Sequence, residues 1–478
     1  MFSNKQYFTS FNQIKSLCLF RLSAIGDILN LIPSLELVLK NYPHVEVTWI
    51  IGSGEYNLFK HLSNRYPQLK FVVFNKKKTS YFQAFKLLRN IQATPFDLLI
   101  HAQTSMRANV LASFIRAKEK VGFSWERSFE GHSLVINHRI PKQTSMHVMV
   151  DYFDLFKPYL SQADIQEFEN LVTDTALLYS GNYPQRLLAQ EHLKPLFDLG
   201  LGEPNSEQAI ENISKHNISL YRLLVSVSKY AAPDKNQRDG RLIFVNPASS
   251  AMKKNWTEKG YVDLIIYLIE AGHRVVVTGG KNTQELNLVN AVAKRIDDLI
   301  YTSHHNLTTK SLDRAGKQVF FNLAGKTNLS ELYLFMSLAD LVISPDSGPM
   351  HLASCIGIPT IGLFAYINPL RSGPIQGVGD VISVFHKNMY GHDIEFTQEQ
   401  YEQDLVNWRK KPHNSDDKLM RQINSLQVVE KVQEVLDRMD QQENVPAGTY
   451  HEHFKTWPKR QKKIITMLNK TQDGEVIE

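Results

Sequence analysis

Short runs rich in β-branched residues alternate with longer segments of helical period in two separate stretches of this chain, 14–160 and 242–364. Such alternation is typical of a parallel sheet covered by helices, in which a helix connects each strand to the next. The chain has 478 residues, which is more than usually fold around a single hydrophobic core, so two or three domains are expected. The sequence therefore predicts an α/β protein with two doubly wound units.

The same pattern gives the individual elements of both units. Strands of the first unit are predicted near residues 16–21, 45–51, 70–74, 97–101 and 120–123, and helices near 28–40, 56–64, 81–92 and 106–116. Strands of the second unit are predicted near 242–246, 274–278, 319–322, 341–344 and 360–364, and helices near 261–271, 285–296, 329–338 and 350–356. Ligands of such sheets bind outside the carboxyl ends of the strands, so a deep cleft between the units is the expected active site.

Breaks in the alternation predict four segments. One doubly wound domain covers residues 1–161, and a second covers 239–396. Between them, residues 162–238 have no β-rich run and are interpreted as an insertion and linker of unknown role. Residues 397–478 are predicted to be a mostly helical extension, in which a docking helix at 422–439 has apolar spacing at Ile423, Leu426, Val429, Val432 and Val435.

Composition and charge exclude several classes of protein. The 54 basic and 48 acidic residues give a formal net charge of +6 without a long basic arm, so nucleic acid is not an expected partner. The two cysteines, Cys18 and Cys355, cannot form a disulfide framework or a cysteine metal site, which fits a reducing cytoplasm. No signal-peptide pattern and no bilayer-spanning apolar stretch is visible. We therefore expect a cytoplasmic protein without a transmembrane helix.

Several cofactor and nucleophile motifs are absent from the sequence. There is no GxGxxG, GxSxG or GxxxxGK[ST] pattern, which argues against nicotinamide or flavin binding, α/β-hydrolase chemistry and P-loop chemistry. The 17 histidines show no metal-ligand spacing, and no Asp-x-Asp pattern occurs. Neither a cofactor nor a metal ion is therefore expected.

A first candidate group lies where the first strand passes into a helix, at residues 21–27 (RLSAIGD). Gly26 permits a close approach of the backbone, so Asp27 is predicted near the helix N-terminus at the carboxyl edge of the sheet. A carboxylate there either caps the helix, which stabilises it by about 0.3–1 kcal/mol, or acts as a general base. Both interpretations remain open.

The most specific stretch of the chain is 344–353 (SPDSGPMHLA), where a buried strand turns through small residues into a helix. The free N–H groups of such a helix start form an anion site that suits a diphosphate. Asp346 either accepts from sugar hydroxyls or caps the helix, and His351 either donates to a phosphate or is structural. Lys254 either neutralises a phosphate or is an exposed loop lysine. Arg371 adds a guanidinium at the exit of the next strand.

These motifs together resemble glycosyltransferase family 9, the lipopolysaccharide heptosyltransferases. The resemblance covers about residues 14–160 and 240–380 and implies a GT-B-type fold, with two Rossmann-like doubly wound domains facing across a cleft. It is carried by RLSAIGD at 21–27 with Pro33, DLLIHAQ at 97–103, VGF at 121–123, KNW at 254–256, PDSGPMHLA at 345–353 and GIPT at 357–360.

The resemblance implies an inverting, metal-independent transfer of a heptose or related sugar from an ADP-sugar to a lipopolysaccharide or lipooligosaccharide core acceptor. The N-terminal domain would face this lipid-linked or oligosaccharide acceptor, and the C-terminal domain would bind the nucleotide sugar, with no other cofactor. The implied roles are general base for Asp27; donor diphosphate binding for Lys254, Ser347, Gly348 and His351; donor sugar or nucleoside binding for Asp346, Glu285 and Thr327; and acceptor binding for Lys76, Lys77, Lys78 and Gln103.

Two other functions and one question of location remain open from the sequence. A sugar-nucleotide epimerase on a similar scaffold, or a catalytically silent nucleotide-sugar-binding protein, would share many of these motifs. The family acts at the cytoplasmic face of the inner membrane, so peripheral membrane contact is an option. Residues 457–468, which combine apolar and basic side chains, predict either a membrane-surface helix or an ordinary amphipathic tail.

Overall fold

The computed structural model describes residues 7–75, 78–143, 146–177, 203–231, 240–303, 318–374, 379–392, 398–412 and 418–443. They fall into two units, the first within Met1–Thr173 and the second within Gly202–Glu478. Lys76, Lys77 and the amphipathic segment 457–468 lie outside the described residues, so what the sequence predicts for them stays a prediction.

The first unit contains a six-stranded parallel sheet. Its strands are β1 (Ser16–Phe20), β2 (Glu46–Gly52), β3 (Leu69–Phe74), β4 (Phe96–His101), β5 (Ala117–Gly122) and β6 (His138–Arg139). They are ordered β3-β2-β1-β4-β5-β6, with every neighbouring pair parallel. The central strands are continuous apolar runs because helices cover the sheet. The strand order reverses between β1 and β4, which is where a Rossmann-like sheet opens a crevice at its carboxyl edge.

Seven helices of the first unit connect these strands or follow them: α1 (Ile25–Asn41), α2 (Ser53–Phe59), α3 (Leu62–Arg65), α4 (Tyr81–Arg89), α5 (Met106–Ser113), α6 (Val148–Asp154) and α7 (Gln162–Leu177). α1 packs against α6, and α4 packs against α5. Ala84 and Leu88 of α4 share a buried cluster with Cys18 and Phe20 of β1 and with Leu111 of α5. α4 and α5 therefore cover the sheet through narrow apolar stripes.

The second unit repeats the same plan. Its strands are β7 (Leu242–Val245), β8 (Arg274–Val277), β9 (Phe320–Asn322), β10 (Leu341–Pro345), β11 (Thr360–Phe364) and β12 (Gly379–Ser383). Their order is β12-β11-β10-β7-β8-β9, again parallel throughout. The order reverses between β7 and β10, so this sheet has its own crevice position at the carboxyl ends of those two strands.

Ten helices of the second unit are described: α8 (Glu203–His216), α9 (Ile218–Ser228), α10 (Glu258–Glu270), α11 (Thr283–Ser303), α12 (Leu329–Met336), α13 (Gly348–Cys355), α14 (Pro369–Ser372), α15 (Phe385–Tyr390), α16 (Gln398–Val406) and α17 (Ser425–Glu443). α8 packs on α12, and the ring of Tyr230, just after α9, lies 5.8 Å from that of Phe321 in β9. The described part of 203–231 thus joins the second unit.

The C-terminal helix α17 docks onto α10, as its apolar spacing predicts. Val428, Val432 and Val435 are buried, but Leu426 is 60 % exposed, so its predicted place in the docking face is wrong. The indole of Trp256 donates to the carbonyl of Ile423 at 2.9 Å and fixes the chain just before α17.

The fold class predicted from the sequence is confirmed, since both units are Rossmann-like and doubly wound. The strands β6 and β12 were not predicted, and the helix predicted at 56–64 is two short helices, α2 and α3. The four segment boundaries stay predictions. No helix within the described ranges is both long enough and apolar enough to cross a bilayer.

Candidate active site

Asp27 is the third residue of α1, directly beyond the end of β1. Its side chain is 39 % exposed, so solvent and ligands can reach it. Its carboxylate oxygens are engaged by Arg21 and Tyr152, and neither contact is to a backbone N–H of the helix. The N-cap of α1 is Ala24, which has no capping side chain. Asp27 therefore makes no capping hydrogen bond, but its place in the first turn still suits the helix dipole, and its role as general base stays a prediction.

Arg21 is the buried partner of Asp27. Its guanidinium forms an ion pair with Asp27 Oδ2 and donates to the carbonyl of Ala102, which follows β4. The indole of Trp49 in turn donates to the Arg21 carbonyl at 3.2 Å. Arg21 thus joins the exits of β1 and β4, the two strands at the reversal of strand order. One oxygen of Asp27 is held at that point.

Tyr152 of α6 holds the other oxygen of Asp27. Its hydroxyl donates to Asp27 Oδ1 at 3.0 Å, and its ring centre lies 5.3 Å from the Arg21 guanidinium. Burial raises the pKa of Tyr152 well above its ordinary value, and the negative charge of Asp27 raises it further, although Arg21 opposes the shift. The phenol consequently remains a proton donor to Asp27.

The predicted acceptor-binding residues are placed in different ways. Gln103 is half-buried at the exit of β4, where its Oε1 accepts from the backbone N–H of Leu22 at 2.9 Å. Lys78 is exposed after β3, and its N–H donates to the carbonyl of Asn75 at 3.3 Å. Gln103 therefore lies in the same crevice region as Arg21, while Lys78 follows β3, an edge strand of the sheet.

A buried pair of histidines supports the exit of β4. His101 Nε2 and His132 Nδ1 lie 2.8 and 3.1 Å from Asn109 Oδ1, and the N–H of Phe123 donates to His132 Nε2 at 3.2 Å. Burial lowers the pKa of His132 to about 4. Burial also lowers the pKa of His101 well below its ordinary value, and the neighbouring His132 lowers it further. Both rings are therefore neutral near pH 7.

The second candidate group lies at the reversal between β7 and β10. Asn246, just after β7, donates to the hydroxyl of Ser347 at 3.1 Å and accepts from Thr278 at 3.2 Å. Ser347 is the N-cap of α13, but its side chain makes no capping bond. Pro349 lies in the first turn and has no N–H to offer. α13 therefore begins without a side-chain cap on its remaining N–H groups.

Lys254, Asp346 and His351 form one charged group at this helix start. Lys254 Nζ lies 2.6 Å from Asp346 Oδ2, and His351 Nε2 lies 3.4 Å from Asp346 Oδ1. Burial by itself would raise the pKa of Asp346, but Lys254 and His351 outweigh it and lower the pKa far below the ordinary value. Asp346 is therefore an anion here, and its side chain is only 9 % exposed. Three residues with predicted donor roles are thus in direct contact.

Glu285 and Thr327 lie at the same carboxyl edge but further from the reversal. Glu285, near the start of α11, accepts from the N–H of Gly280 at 3.0 Å, and Thr327 lies half-buried between β9 and α12. A bond from the N–H of Gly325 to the carbonyl of Gly279, 3.0 Å, links their two loops. No hydrogen bond or ion pair among the described residues joins either of them to the Asp346 group.

Two other cations of the second unit, Lys253 and Arg371, lie against aromatic rings instead of against Asp346. Lys253 Nζ lies 5.5 Å from the ring centre of Tyr366, and the guanidinium of Arg371 lies 4.2 Å from that of Trp408. Unlike Lys254, neither is paired with Asp346. Within the described ranges, no three or more His, Cys, Asp or Glu side chains come together in a group that would hold a metal ion.

Comparison with known proteins decides the family. The family model for glycosyltransferase family 9 (heptosyltransferase) matches residues 84–177 and 207–403. The chain is also 30 % identical over 374 residues to the lipopolysaccharide core heptosyltransferase OpsX of Haemophilus influenzae, an alignment that covers 78 % of this chain and 86 % of that protein. The chain belongs to glycosyltransferase family 9. It is accordingly a glycosyltransferase of the heptosyltransferase type.

Solved structures show the same fold for this family 9 glycosyltransferase. A family 9 glycosyl transferase from Veillonella parvula matches with a TM-score of 0.54 and 19 % identity, covering 89 % of this chain and 97 % of that one. The ADP-heptose lipopolysaccharide heptosyltransferase II of Escherichia coli matches with a TM-score of 0.53 and 15 % identity, covering 89 % and 99 %. Both likenesses confirm the GT-B class of the two Rossmann-like units.

The family 9 motifs indicated Asp27 but not the residues that hold it. Arg21 is the first residue of the RLSAIGD motif, but the motif by itself indicates no role for this side chain. Tyr152 lies 125 residues from Asp27, in a helix that no motif marks. A tyrosine in an apolar helix gives no signal by itself, so the contact was found only in the structure.

Proposed function

We propose that this glycosyltransferase transfers a heptose from an ADP-heptose donor to a hydroxyl of a lipopolysaccharide core acceptor, with inversion at the anomeric carbon and without a metal ion. The observation that carries the proposal is the Lys254–Asp346–His351 group at the uncapped start of α13. A helix start with adjacent cationic groups is suited to a diphosphate, and a buried carboxylate beside it is suited to sugar hydroxyls.

In this reaction the donor diphosphate lies at Ser347 and Gly348, where the first N–H groups of α13 meet Lys254. His351 lies one turn further and donates to the same group. Negative charge accumulates on the diphosphate as the bond to the sugar breaks, and these donors stabilise it. An ammonium has three N–H donors, and Lys254 donates to Asp346 Oδ2 at 2.6 Å and to the Asp346 carbonyl at 3.4 Å. One donor is then left for the phosphate. Charge neutralisation is thus assigned to protein groups instead of a metal ion.

The acceptor hydroxyl is activated by Asp27. Its oxygen attacks the anomeric carbon, the bond from that carbon to the diphosphate oxygen breaks, and ADP leaves. The hydroxyl proton passes to Asp27, which is exposed enough to reach it. A single displacement of this kind inverts the anomeric centre. Gln103 and the basic run Lys76, Lys77 and Lys78 are assigned to the acceptor. Of these, Gln103 follows β4 and Lys78 follows β3, both beyond the carboxyl ends of strands in the sheet of Asp27.

ADP as the carrier of the sugar is supported by relatives. The Escherichia coli structure with a TM-score of 0.53 is described as an ADP-heptose heptosyltransferase. Glu285 and Thr327 are assigned to the nucleoside, since both lie along the carboxyl edge beyond β8 and β9, on one side of the Asp346 group. A lipid-linked acceptor would also place the enzyme at the cytoplasmic face of the inner membrane.

The donor site is tested by nucleotide binding. We expect ADP to stabilise the protein against heat more than UDP or GDP does, because a bound ligand stabilises the folded state by mass action. Lys254→Ala should weaken ADP binding about tenfold to a hundredfold, the range for a hydrogen bond to a charged group. Isothermal titration of ADP measures the affinity. Lys253→Ala is the matched control, since it removes an adjacent lysine that faces Tyr366 and should change affinity far less.

Equal losses of ADP affinity in the two lysine variants would contradict the diphosphate role of Lys254. A preference for UDP or GDP would be consistent with a transferase but would contradict ADP as the carrier of the donor sugar. Retention of the anomeric configuration in the product, read by nuclear magnetic resonance, would reject the single displacement.

A further inference from the structure

α4 has nine residues and buries only Ala84 and Leu88. Its aromatic residues face solvent instead: Phe82 is 78 % exposed, Tyr81 54 % and Phe85 46 %. Exposed single apolar residues are common on soluble proteins, but neighbouring ones on a single short helix form a patch that marks an interaction surface.

The apolar patch continues onto α5. The ring of Phe85 lies 5.3 Å from that of Phe114, which follows α5 directly. Val110 and Met106 precede Phe114 at steps of four residues, so they share its face, and they are 39 % and 62 % exposed. We call this the α4–α5 surface: Tyr81, Phe82, Phe85, Met106 and Val110, with the basic residues Lys78, Lys86 and Arg89 on or beside α4.

Positive charge is concentrated in the segment of the sequence that contains this surface. Residues 75–118 contain eight lysines and arginines but one acidic residue, Asp97, so this segment has a surplus of seven positive charges while the whole chain has six. Asp97 is 13 % exposed and paired with Lys118 at 2.7 Å. Outside this segment, the exposed carboxylate of Glu130 accepts from the N–H of Met106 at 2.5 Å and is the acidic group that lies at the start of α5. Lys86 and Arg89 form no ion pair with any described residue. The remaining chain is close to neutral.

We propose that the α4–α5 surface docks on an anionic lipid bilayer. Aromatic side chains entering the headgroup region, flanked by lysine and arginine at the level of acidic lipids, are the chemistry of an interfacial helix. A second copy of the chain fits less well, since a two-fold interface through this surface would bring the two basic surpluses together. A bilayer of acidic lipids supplies both an apolar layer for the aromatic side chains and negative charge for Lys78, Lys86 and Arg89.

The position of this surface relates to the reaction. α4 follows β3 and α5 follows β4, so both helices begin at the carboxyl edge of the first sheet. Met106 is three residues beyond Gln103, at the edge where Asp27 lies. This step rests on the proposed function: an acceptor anchored in lipid would be presented at the edge that holds the base.

The experiment is sedimentation of the full chain with vesicles of phosphatidylcholine alone and of phosphatidylcholine with phosphatidylglycerol. We expect binding to the anionic vesicles. Phe82→Ser should lower the partition coefficient about tenfold, given the contribution of one buried aromatic side chain. Lys86→Gln/Arg89→Gln should lower it by a similar factor on anionic vesicles. The matched controls are Val406→Ser, a 79 % exposed apolar residue of the second unit, and Lys259→Gln/Lys294→Gln on α10 and α11.

Unchanged vesicle binding by Phe82→Ser and by the double variant would overturn the docking surface. Sedimentation velocity showing a dimer that Phe82→Ser dissociates would overturn it in favour of a second copy. Transfer to a lipid-free acceptor should be equal in wild type and Phe82→Ser. If the wild type binds anionic vesicles through α4 yet transfers no sugar to any acceptor, the proposed function fails and the docking surface stands.

Discussion

At the scale of single residues, the candidate base is held from both sides. Asp27 is an exposed carboxylate, yet Arg21 fixes one oxygen and Tyr152 the other, and both partners are buried. A reacting group fixed in this way loses less conformational freedom when the substrate arrives, which lowers the barrier to reaction. Tyr152 is therefore interpreted as a positioning residue, and Asp27 as the group that meets the acceptor hydroxyl.

Removing the Tyr152 hydroxyl tests this. Tyr152→Phe should reduce kcat about tenfold and leave the KM for the donor nearly unchanged, because one hydrogen bond from a neutral hydroxyl to the carboxylate base is lost and the donor group is untouched. Asp27→Asn should reduce kcat about 10²–10⁴-fold, the contribution of general-base catalysis. Steady-state kinetics with a soluble acceptor measures both parameters. Tyr42→Phe is the matched control, since Tyr42 also donates to a carboxylate, Asp164, at 2.5 Å.

A loss of kcat in Tyr42→Phe as large as that in Tyr152→Phe would reduce the effect to general destabilisation. Full activity of Asp27→Asn would remove Asp27 as the base.

For the donor group, the sequence indicated Lys254, Asp346 and His351, because all lie within motifs at strand exits. It did not indicate the contact between Tyr152 and Asp27, since long-range packing of α6 on α1 has no signature in a single sequence.

At the scale of elements, α10 and α17 illustrate how close packing depends on a single atom. A Cβ added at Gly260 of α10 would lie 2.5 Å from the ring of Trp256, which is itself fixed by Ile423. A rigid indole cannot move aside as a flexible side chain would. The glycine therefore permits the tryptophan to lie between the start of α10 and the chain that leads into α17.

Alanine at this glycine gives an element-scale prediction. Gly260→Ala should lower the free energy of unfolding by about 1–3 kcal/mol, the usual effect of overpacking. Gly54→Ala, in the first turn of α2, is the matched control. A Cβ there meets nothing within 4 Å, so it should raise stability by about 0.4–1 kcal/mol. Urea denaturation of both variants measures the difference. A stabilising Gly260→Ala would show that Trp256 moves freely.

The sequence predicts the long strands that are buried on both faces, but it misses a short polar strand at the edge of a sheet. Central strands such as β1 and β4 are buried on both faces and read as continuous apolar runs. β6 consists of His138 and Arg139 alone at the edge of its sheet, and a pair of polar residues has no strand pattern. The step of three residues that placed Leu426 on the α17 docking face drifts around a helix of 3.6 residues per turn. Leu426 is therefore exposed, although its neighbour Ser425 donates to Asp263 of α10 at 2.9 Å.

At the scale of the whole molecule, the two units use one strand order twice, and each has its candidate group where that order reverses. The carboxyl edge at such a reversal has diverging loops, which leave room for a ligand without disturbing the core. Fold class could be predicted because two alternating stretches are plain in the sequence. That the two groups act on one sugar stays a prediction of the proposed function.

Hydrogen exchange with and without ADP gives the whole-molecule prediction. ADP should slow exchange in the loops after β7, β8, β9 and β10, because every residue assigned to the nucleotide lies there, and a bound ligand suppresses local opening. Exchange around residues 21–27 should change much less. The measurement is mass spectrometry of peptides from both units, and Lys254→Ala with ADP is the control. Strong ADP protection confined to the first unit would reverse the assignment of the two units.

The repetition of one sheet plan bears on how relatives of this enzyme diverge. Among the described residues, the contacts that hold Asp346 come from the loop after β7 and from α13, and those that hold Asp27 come from elements of the first unit. The proposed function therefore predicts that substitutions around β1 and β4 change acceptor selectivity without changing the affinity for ADP. The two specificities would then be encoded in separate parts of the sequence, so that one can change while the other is kept.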